Sequence, residues 1–203
     1  MKNQVFVNCL TPTKLYRYGE RIWLERASAL GEFLLKPASS FKNADATRRD
    51  DELVRVRMRE PNDIKIVRVQ TGQEVKPLGP IKFEMKSATD YLVLCFSKTW
   101  NTQLFEKFEG ADTCLVIHNV PEFQERIHNC VAKALPDWEG CDIAVDYAQS
   151  HPLGLCFSKA AGYSDENEWR FAWRPQVAIA KVVRTPVMIG SIADIAELRS
   201  KSP

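Results

Sequence analysis

Tyr91-Leu-Val-Leu-Cys-Phe96 is an almost unbroken apolar run, set off by the polar break from Ser87 to Asp90. A run of this length between turn signals is a strand covered on both faces, because an alternating pattern would be needed if one face met water. The fold must therefore supply two layers around a central strand. Thr113 to Ile117 makes the same demand a second time. Other segments alternate. Val54, Val56 and Met58 interleave with Arg55, Arg57 and Arg59, Pro61-Asn62-Asp63 marks a turn, and Ile64 to Val69 is predicted to return as the hairpin partner. Ile81, Phe83 and Met85 alternate again. Leu15 to Tyr18, Phe33 onward into a Ser39-Ser40 turn, Asp142 to Tyr147, Glu168 to Trp173, Val177 to Arg184 and Val187 to Ile189 complete the predicted strands.

Helices are few. Glu20 to Leu30 places Ile22, Ala27 and Leu30 near one stripe, with Gly31 as a left-handed stop. Asn101 to Phe108 reads as a short helix. Asn119 is placed to cap a longer one, with Pro121 in its first turn and Phe123, Ile127, Val131 and Ala134 at helical spacing. Ser191 to Arg199 is predicted to close the chain as a helix, Ser191-x-x-Asp194 resembling a capping box. The expected class is α+β, with mixed, mainly antiparallel sheets and a few flanking helices. The expected organisation is a single domain over 1–203 with a hairpin insertion at about 42–86.

Composition narrows the function classes. With 203 residues, 45% apolar and 27% charged, the chain is that of an ordinary globular protein. No apolar run approaches the roughly 20 residues of a membrane span, and the first residues lack a signal-peptide core, so no membrane partner and a cytoplasmic location are expected. A net charge of +2 does not by itself argue for nucleic acid. The cysteines at 9, 95, 114, 130, 141 and 156 form no Cys-x-x-Cys pair and are expected to be buried free thiols. His118, His128 and His151 offer neither a metal cluster nor a Ser/His/Asp arrangement, so no metal is expected. Gly72, Gly79 and Gly110 stand apart, which removes the Rossmann and P-loop routes to a nucleotide.

The candidate site begins at Glu166-Asn-Glu168. Read as a strand entrance, residues i and i+2 share a face, so two carboxylates point the same way and repel. A sequence keeps such a pair either as a solvated acidic turn or because a carboxylate there stabilises positive charge or orients a hydroxyl. Arg17 lies in the aromatic frame Leu15-Tyr-Arg-Tyr18 and suits a phosphate clamp or an ion pair with one of the glutamates. Ser39 and Ser40 either bind a ribose or simply make a turn. Arg55, Arg57 and Arg59 form a basic ridge that is either an acceptor-binding face or a solvated strand face. A purely structural network of Arg17 and the glutamates is the third reading.

The order of strand with Arg17, helix, strand with Ser39 and Ser40, and late strand with Glu166 and Glu168 resembles the arginine/serine/glutamate clade of the ADP-ribosyltransferase superfamily. From Leu15 to about Gly190 the chain also resembles a widespread bacterial family of unknown function. That family is marked by Leu15-Tyr-Arg-Tyr18, Leu94-Cys-Phe-Ser97, the aromatic helix Leu104 to Phe108 and Glu166-Asn-Glu-Trp-Arg170. The first resemblance implies an ADP-ribosyltransferase-like fold and an NAD-consuming enzyme of the toxin, effector or phage-related-modifier kind. In it Glu168 is the catalytic acid, Glu166 prepares the acceptor, and Arg17, Tyr16, Tyr18, Ser39 and Ser40 hold NAD, while Trp169 is a further stacking candidate. Its acceptor is a protein or a nucleic acid. The alternative is a non-catalytic or nucleic-acid-binding effector using the Arg55/Arg57/Arg59 face.

Overall fold

The computed structural model describes residues 10–43, 50–147 and 150–201. In chain order these form β1 (Leu15–Gly19), α1 (Arg21–Leu30), β2 (Glu32–Pro37), β3 (Val54–Arg59), β4 (Ile66–Val67), β5 (Glu74–Val75), β6 (Ile81–Lys86) and β7 (Leu92–Ser97). There follow α2 (Gln103–Lys107), β8 (Thr113–Ile117), α3 (Val120–Ala134), β9 (Trp138–Ala144), β10 (Glu168–Pro175), β11 (Thr185–Met188) and β12 (Ala196–Ser200). Strands predominate and all their pairings are antiparallel, an α+β arrangement.

β7, the apolar run, is the hub. One of its edges pairs along its whole length with β10, from Glu168 opposite Ser97 to Trp173 opposite Leu92. The other edge is shared: β2 takes the Leu92–Val93 end and β1 takes the Ser97 end. Because α1 connects these two strands, they diverge and leave the middle of β7 without a neighbouring strand on that side. The sheet extends from β1 through β8 to β12, from β2 to β11 and from β10 to β9.

The two faces differ in chemistry. Leu92, Leu94 and Phe96 of β7 and Trp169, Phe171 and Trp173 of β10 pack beneath Phe123, Ile127 and Val131 of α3. Phe171 touches Phe96 and Phe123 edge-on, with centroids at 5.8 and 5.6 Å. Burying a side chain of this size contributes about 1.5–3 kcal/mol. The opposite face pairs Ser97 with Glu168, Cys95 with Arg170 and Val93 with Ala172. Two apolar clusters flank it, one around Tyr91, Cys156 and Phe157 and one around Tyr18, Leu104 and Phe105.

Several expectations are corrected. α1 buries Leu24 and Ala27, while Ile22 and Leu30 are exposed. β3 pairs with β6, and the Ile64–Val69 segment contributes only the two-residue β4, paired with β5. Val177 to Arg184 forms no strand. Ser191 to Arg199 is not a helix: Ile192 and Ile195 are buried in a turn, and β12 pairs with β8 from Ala196 opposite Ile117 to Ser200 opposite Thr113. A helix of that length is marginal alone, whereas the open edge of β8 offers a full ladder. Asn119 does cap α3, its Oδ1 accepting from the Glu122 N–H. Of the cysteines, Cys114 and Cys156 are buried, but Cys95 and Cys130 are only half-buried and Cys141 is exposed; Cys9 lies outside the described residues.

The helix α1 to β2 joint is a severe constraint. Gly31 adopts φ +64°, and a Cβ there would lie 2.0 Å from the Gly190 carbonyl oxygen. Gly31→Ala is expected to lose about 2 kcal/mol or more in a urea unfolding titration, since left-handed strain adds to the clash. Gly162→Ala, whose Cβ meets nothing within 4 Å, is the matched control.

Candidate functional site

The diverging β1 and β2 open a cavity of about 140 Å³ against the middle of β7. Arg17 and Glu168 reach it from opposite sides of the sheet. Arg17 shares the α3 side with its neighbour Leu115, its guanidinium 5.7 Å from the Phe96 ring, and Nη1 donates to the Cys95 carbonyl at 2.8 Å. Glu168 rises from the other face. Both line one cavity because the sheet is split between them. Tyr16, Tyr18, Leu104 and Phe108 form its apolar end, and Glu166, Glu168, Lys159 and Arg170 its charged end, with Lys36 entering from β2.

The charged end belongs to an alternating row of ions. Asp50 pairs with Arg55 at 2.8 Å, Arg55 approaches Glu52 at 3.8 Å, and Glu52 meets Arg170 at 2.7 Å. Arg170 holds Glu168 at 2.5 Å, Glu168 meets Lys159 at 3.1 Å, and Lys159 meets Glu166 at 2.5 Å. Lys107 ends the row, 3.1 Å from Glu166 and 2.7 Å from Asp165. Arg170, Glu52 and Glu168 are almost wholly buried. Each charge there is tolerable only because its neighbours have the opposite sign. Burial pushes the Glu168 carboxyl up, but the charges of Arg170 and Lys159 and their hydrogen bonds outweigh it and hold the group well below the usual carboxylate range. Burial likewise opposes charge on Lys159, and Glu168 and Glu166 overcome it, keeping the ammonium protonated far above its ordinary value. The Cys95 thiol is pushed up by burial and by the Glu168 charge beside it, so it stays protonated. Tyr147 accepts a hydrogen bond from the Glu168 N–H at 2.7 Å and fixes the start of β10.

The two glutamates do converge, by a different route from strand alternation. Glu166 ends a 3-10 turn over Ala161–Glu166, Asn167 takes φ 42°, and Glu168 begins β10. The left-handed residue returns the chain so that both carboxylates meet Lys159. Arg17, Tyr16 and Tyr18 line the same cavity. Ser39 and Ser40 do not: Ser39 binds the Asp90 carboxylate through its N–H and hydroxyl, and the Ser40 hydroxyl donates to the Pro37 carbonyl. Both are turn groups. Trp169 points to the α3 side, its indole N–H donating to Asp142 at 2.7 Å, and stacks on nothing in the cavity. Arg55 is turned inward to Asp50 and Glu52, leaving Arg57 and Arg59 on the ridge. Lys159, Arg170, Glu52, Lys36 and Lys107 are additions. Arg170 is legible as the same-face neighbour of Glu168 two residues on; the others are brought in by tertiary contacts.

No protein-family model, curated protein or solved structure matches the chain. Among the described residues no group of three or more His, Cys, Asp or Glu side chains is placed to hold a metal ion, and no helix is long and apolar enough to cross a membrane.

Glu168 is held by two cations and Glu166 by two lysines, but Glu168 is the deeper of the two. Glu168→Gln is expected to cost about 3–5 kcal/mol in denaturant unfolding at pH 7, as breaking a buried pair does, and Glu166→Gln less. The sign with pH follows from the depressed carboxyl: its contribution is complete above the unfolded value of about 4.3 and fades as pH falls toward the folded value. The stability gap between wild type and Glu168→Gln should therefore narrow below about pH 4.3.

Proposed function

We infer that the chain is an NAD-dependent ADP-ribosyltransferase-like enzyme of the toxin, effector or phage-related-modifier kind. The observation that supports this most is that Arg17 and the Glu166/Glu168 pair, far apart in sequence, line one ring-sized cavity in a split sheet. A cavity of roughly 150 Å³ accommodates a benzene-sized ring, so the space suits nicotinamide and leaves the rest of the dinucleotide outside it. Tyr16 and Tyr18 supply the flat apolar wall for that ring. Arg17, at the opposite side of the split and anchored on the Cys95 carbonyl, sets its planar guanidinium beside the pyrophosphate.

In the reaction the bond between the ribose anomeric carbon and the nicotinamide nitrogen breaks, and its electron pair leaves with neutral nicotinamide. Positive charge gathers on the ribose. Glu168, kept ionised by Arg170 and Lys159, stabilises that charge through the ribose hydroxyls. An acceptor nucleophile then bonds to the anomeric carbon and its proton passes to Glu166. The acceptor macromolecule, protein or nucleic acid, approaches from the open side of the cavity. The alternative of a nucleic-acid-binding effector built on Arg55, Arg57 and Arg59 keeps Arg57 and Arg59 but loses Arg55, whose charge is neutralised within the protein.

The test is chromatographic measurement of nicotinamide released from NAD by the purified protein, to water and to cell extract. Glu168→Gln should lower release about 100- to 1000-fold. Because that variant also loosens the fold, Arg17→Lys is read beside it: charge and folding are retained and calorimetric affinity for NAD should fall about tenfold as the fork is lost. Wild type that releases no nicotinamide under any condition, or equal NAD affinity in Arg17→Lys, would remove this reading.

A further inference from the structure

The segment from Val54 to Lys86 contains no buried residue. Yet it carries twelve Val, Ile, Leu, Met and Phe side chains, among them Val56 at 51%, Met58 at 59% and Phe83 at 45% exposure. Its strands form two separate two-stranded ribbons, β3 with β6 and β4 with β5. A lone ribbon is marginal in water, and exposed apolar surface of this density marks a contact surface. The segment is also basic, with eight Lys and Arg against four Asp and Glu, net +4 in a chain whose total is +2.

Register makes the surface specific. Directly opposed residues share a face. Val56 and Met58 therefore lie beside Glu84 and Lys82 on one face, and Arg57 and Arg59 beside Phe83 and Ile81 on the other. Seen along β3 alone, one face is apolar and the other cationic. β3 pairs with β6 and with no other strand among the described residues, so its outer edge presents unpaired backbone groups. On β6, Lys82 and Lys86 are already neutralised by Glu84, whereas Arg57 and Arg59 pair with no carboxylate among the described residues.

We propose that the outer edge of β3 is a docking site for a protein partner that adds a strand of alternating acidic and apolar residues. Its apolar side chains would cover Val56 and Met58, its acids would meet Arg57 and Arg59, and its backbone would complete the ladder. A nucleic acid would answer the two arginines but leave the aliphatic row in water. A second copy of the chain, pairing β3 on β3, would set arginine against arginine. The proposal does not rest on the NAD reading, because Val56, Arg57, Met58 and Arg59 do not line the cavity.

The experiment is a fluorescence anisotropy titration of the full chain with a short end-capped peptide alternating Glu and Val. Comparators are its Lys/Val counterpart, the Glu/Val peptide N-methylated at alternate residues, and duplex DNA. Saturable binding of the Glu/Val peptide alone is expected. It should weaken about tenfold in R57Q/R59Q, which removes two exposed ion pairs, and also fall in V56S/M58S. Absence of binding, equal binding of the Lys/Val or N-methylated peptide, binding of DNA only, or concentration-dependent self-association lost in V56S/M58S would each overturn the proposal. If a variant melts earlier than wild type, the peptide comparison on wild type decides alone.

Discussion

The alternating row of ions from Asp50 to Asp165 is the interaction on which the rest of the site depends. It ties together five pieces of chain that share little else: the entry to β3, the first residues of β10, the 3-10 turn before it, Lys159 ahead of that turn, and α2. No member is self-sufficient. Arg170 in the sheet interior would be prohibitive without Glu52 and Glu168, and Glu52 is held there in turn by Arg170 and Arg55. Such a row fixes geometry more than it adds net stability, because desolvation absorbs much of the Coulomb energy. Its product is two carboxylates immobilised at the rim of a cavity, with Glu168 kept charged by its cationic neighbours.

The second requirement is the divided edge of β7. Had β1 continued along the whole strand, Arg17 would have remained on the α3 side and Glu168 on the other, separated by a hydrogen-bonded sheet. Sharing that edge between β1 and β2 creates a passage through the sheet, and the Arg17 bond to the Cys95 carbonyl satisfies one of the backbone groups that the division exposes. The same division lets one cavity combine an aromatic end from β1 and α2 with an ionic end from β10.

Much of this was legible in the sequence where the signal is local. The apolar runs gave β7 and β8, Asn119 and the apolar spacing behind it gave α3, and Gly31 gave the end of α1. Glu166 and Glu168 were legible as a pair, although the pairing comes from a left-handed Asn167 rather than from pleat alternation. What stayed hidden is what only tertiary structure decides. The Ser191–Arg199 segment has helical spacing, but an open edge on β8 captured it as a strand. The partner of β3 could not be read because Ile64 to Val69 and Ile81 to Met85 are equally plausible by pattern, and the longer ladder won. Lys159 and Glu52 carry no local mark at all, since their roles arise from residues up to 118 positions away.

α1 has a part in this beyond connecting two strands. It buries Leu24 and Ala27 against the sheet and ends at a glycine pressed on the Gly190 carbonyl, so neither its rotation nor its length is free. Adding one residue to a helix turns everything beyond it by about 100° and advances it by about 1.5 Å. The aperture between β1 and β2 therefore cannot drift by small increments as surface loops do; it is set in whole helical turns. Divergent versions of this chain would have to change what enters the cavity by exchanging side chains around a gap of constant width.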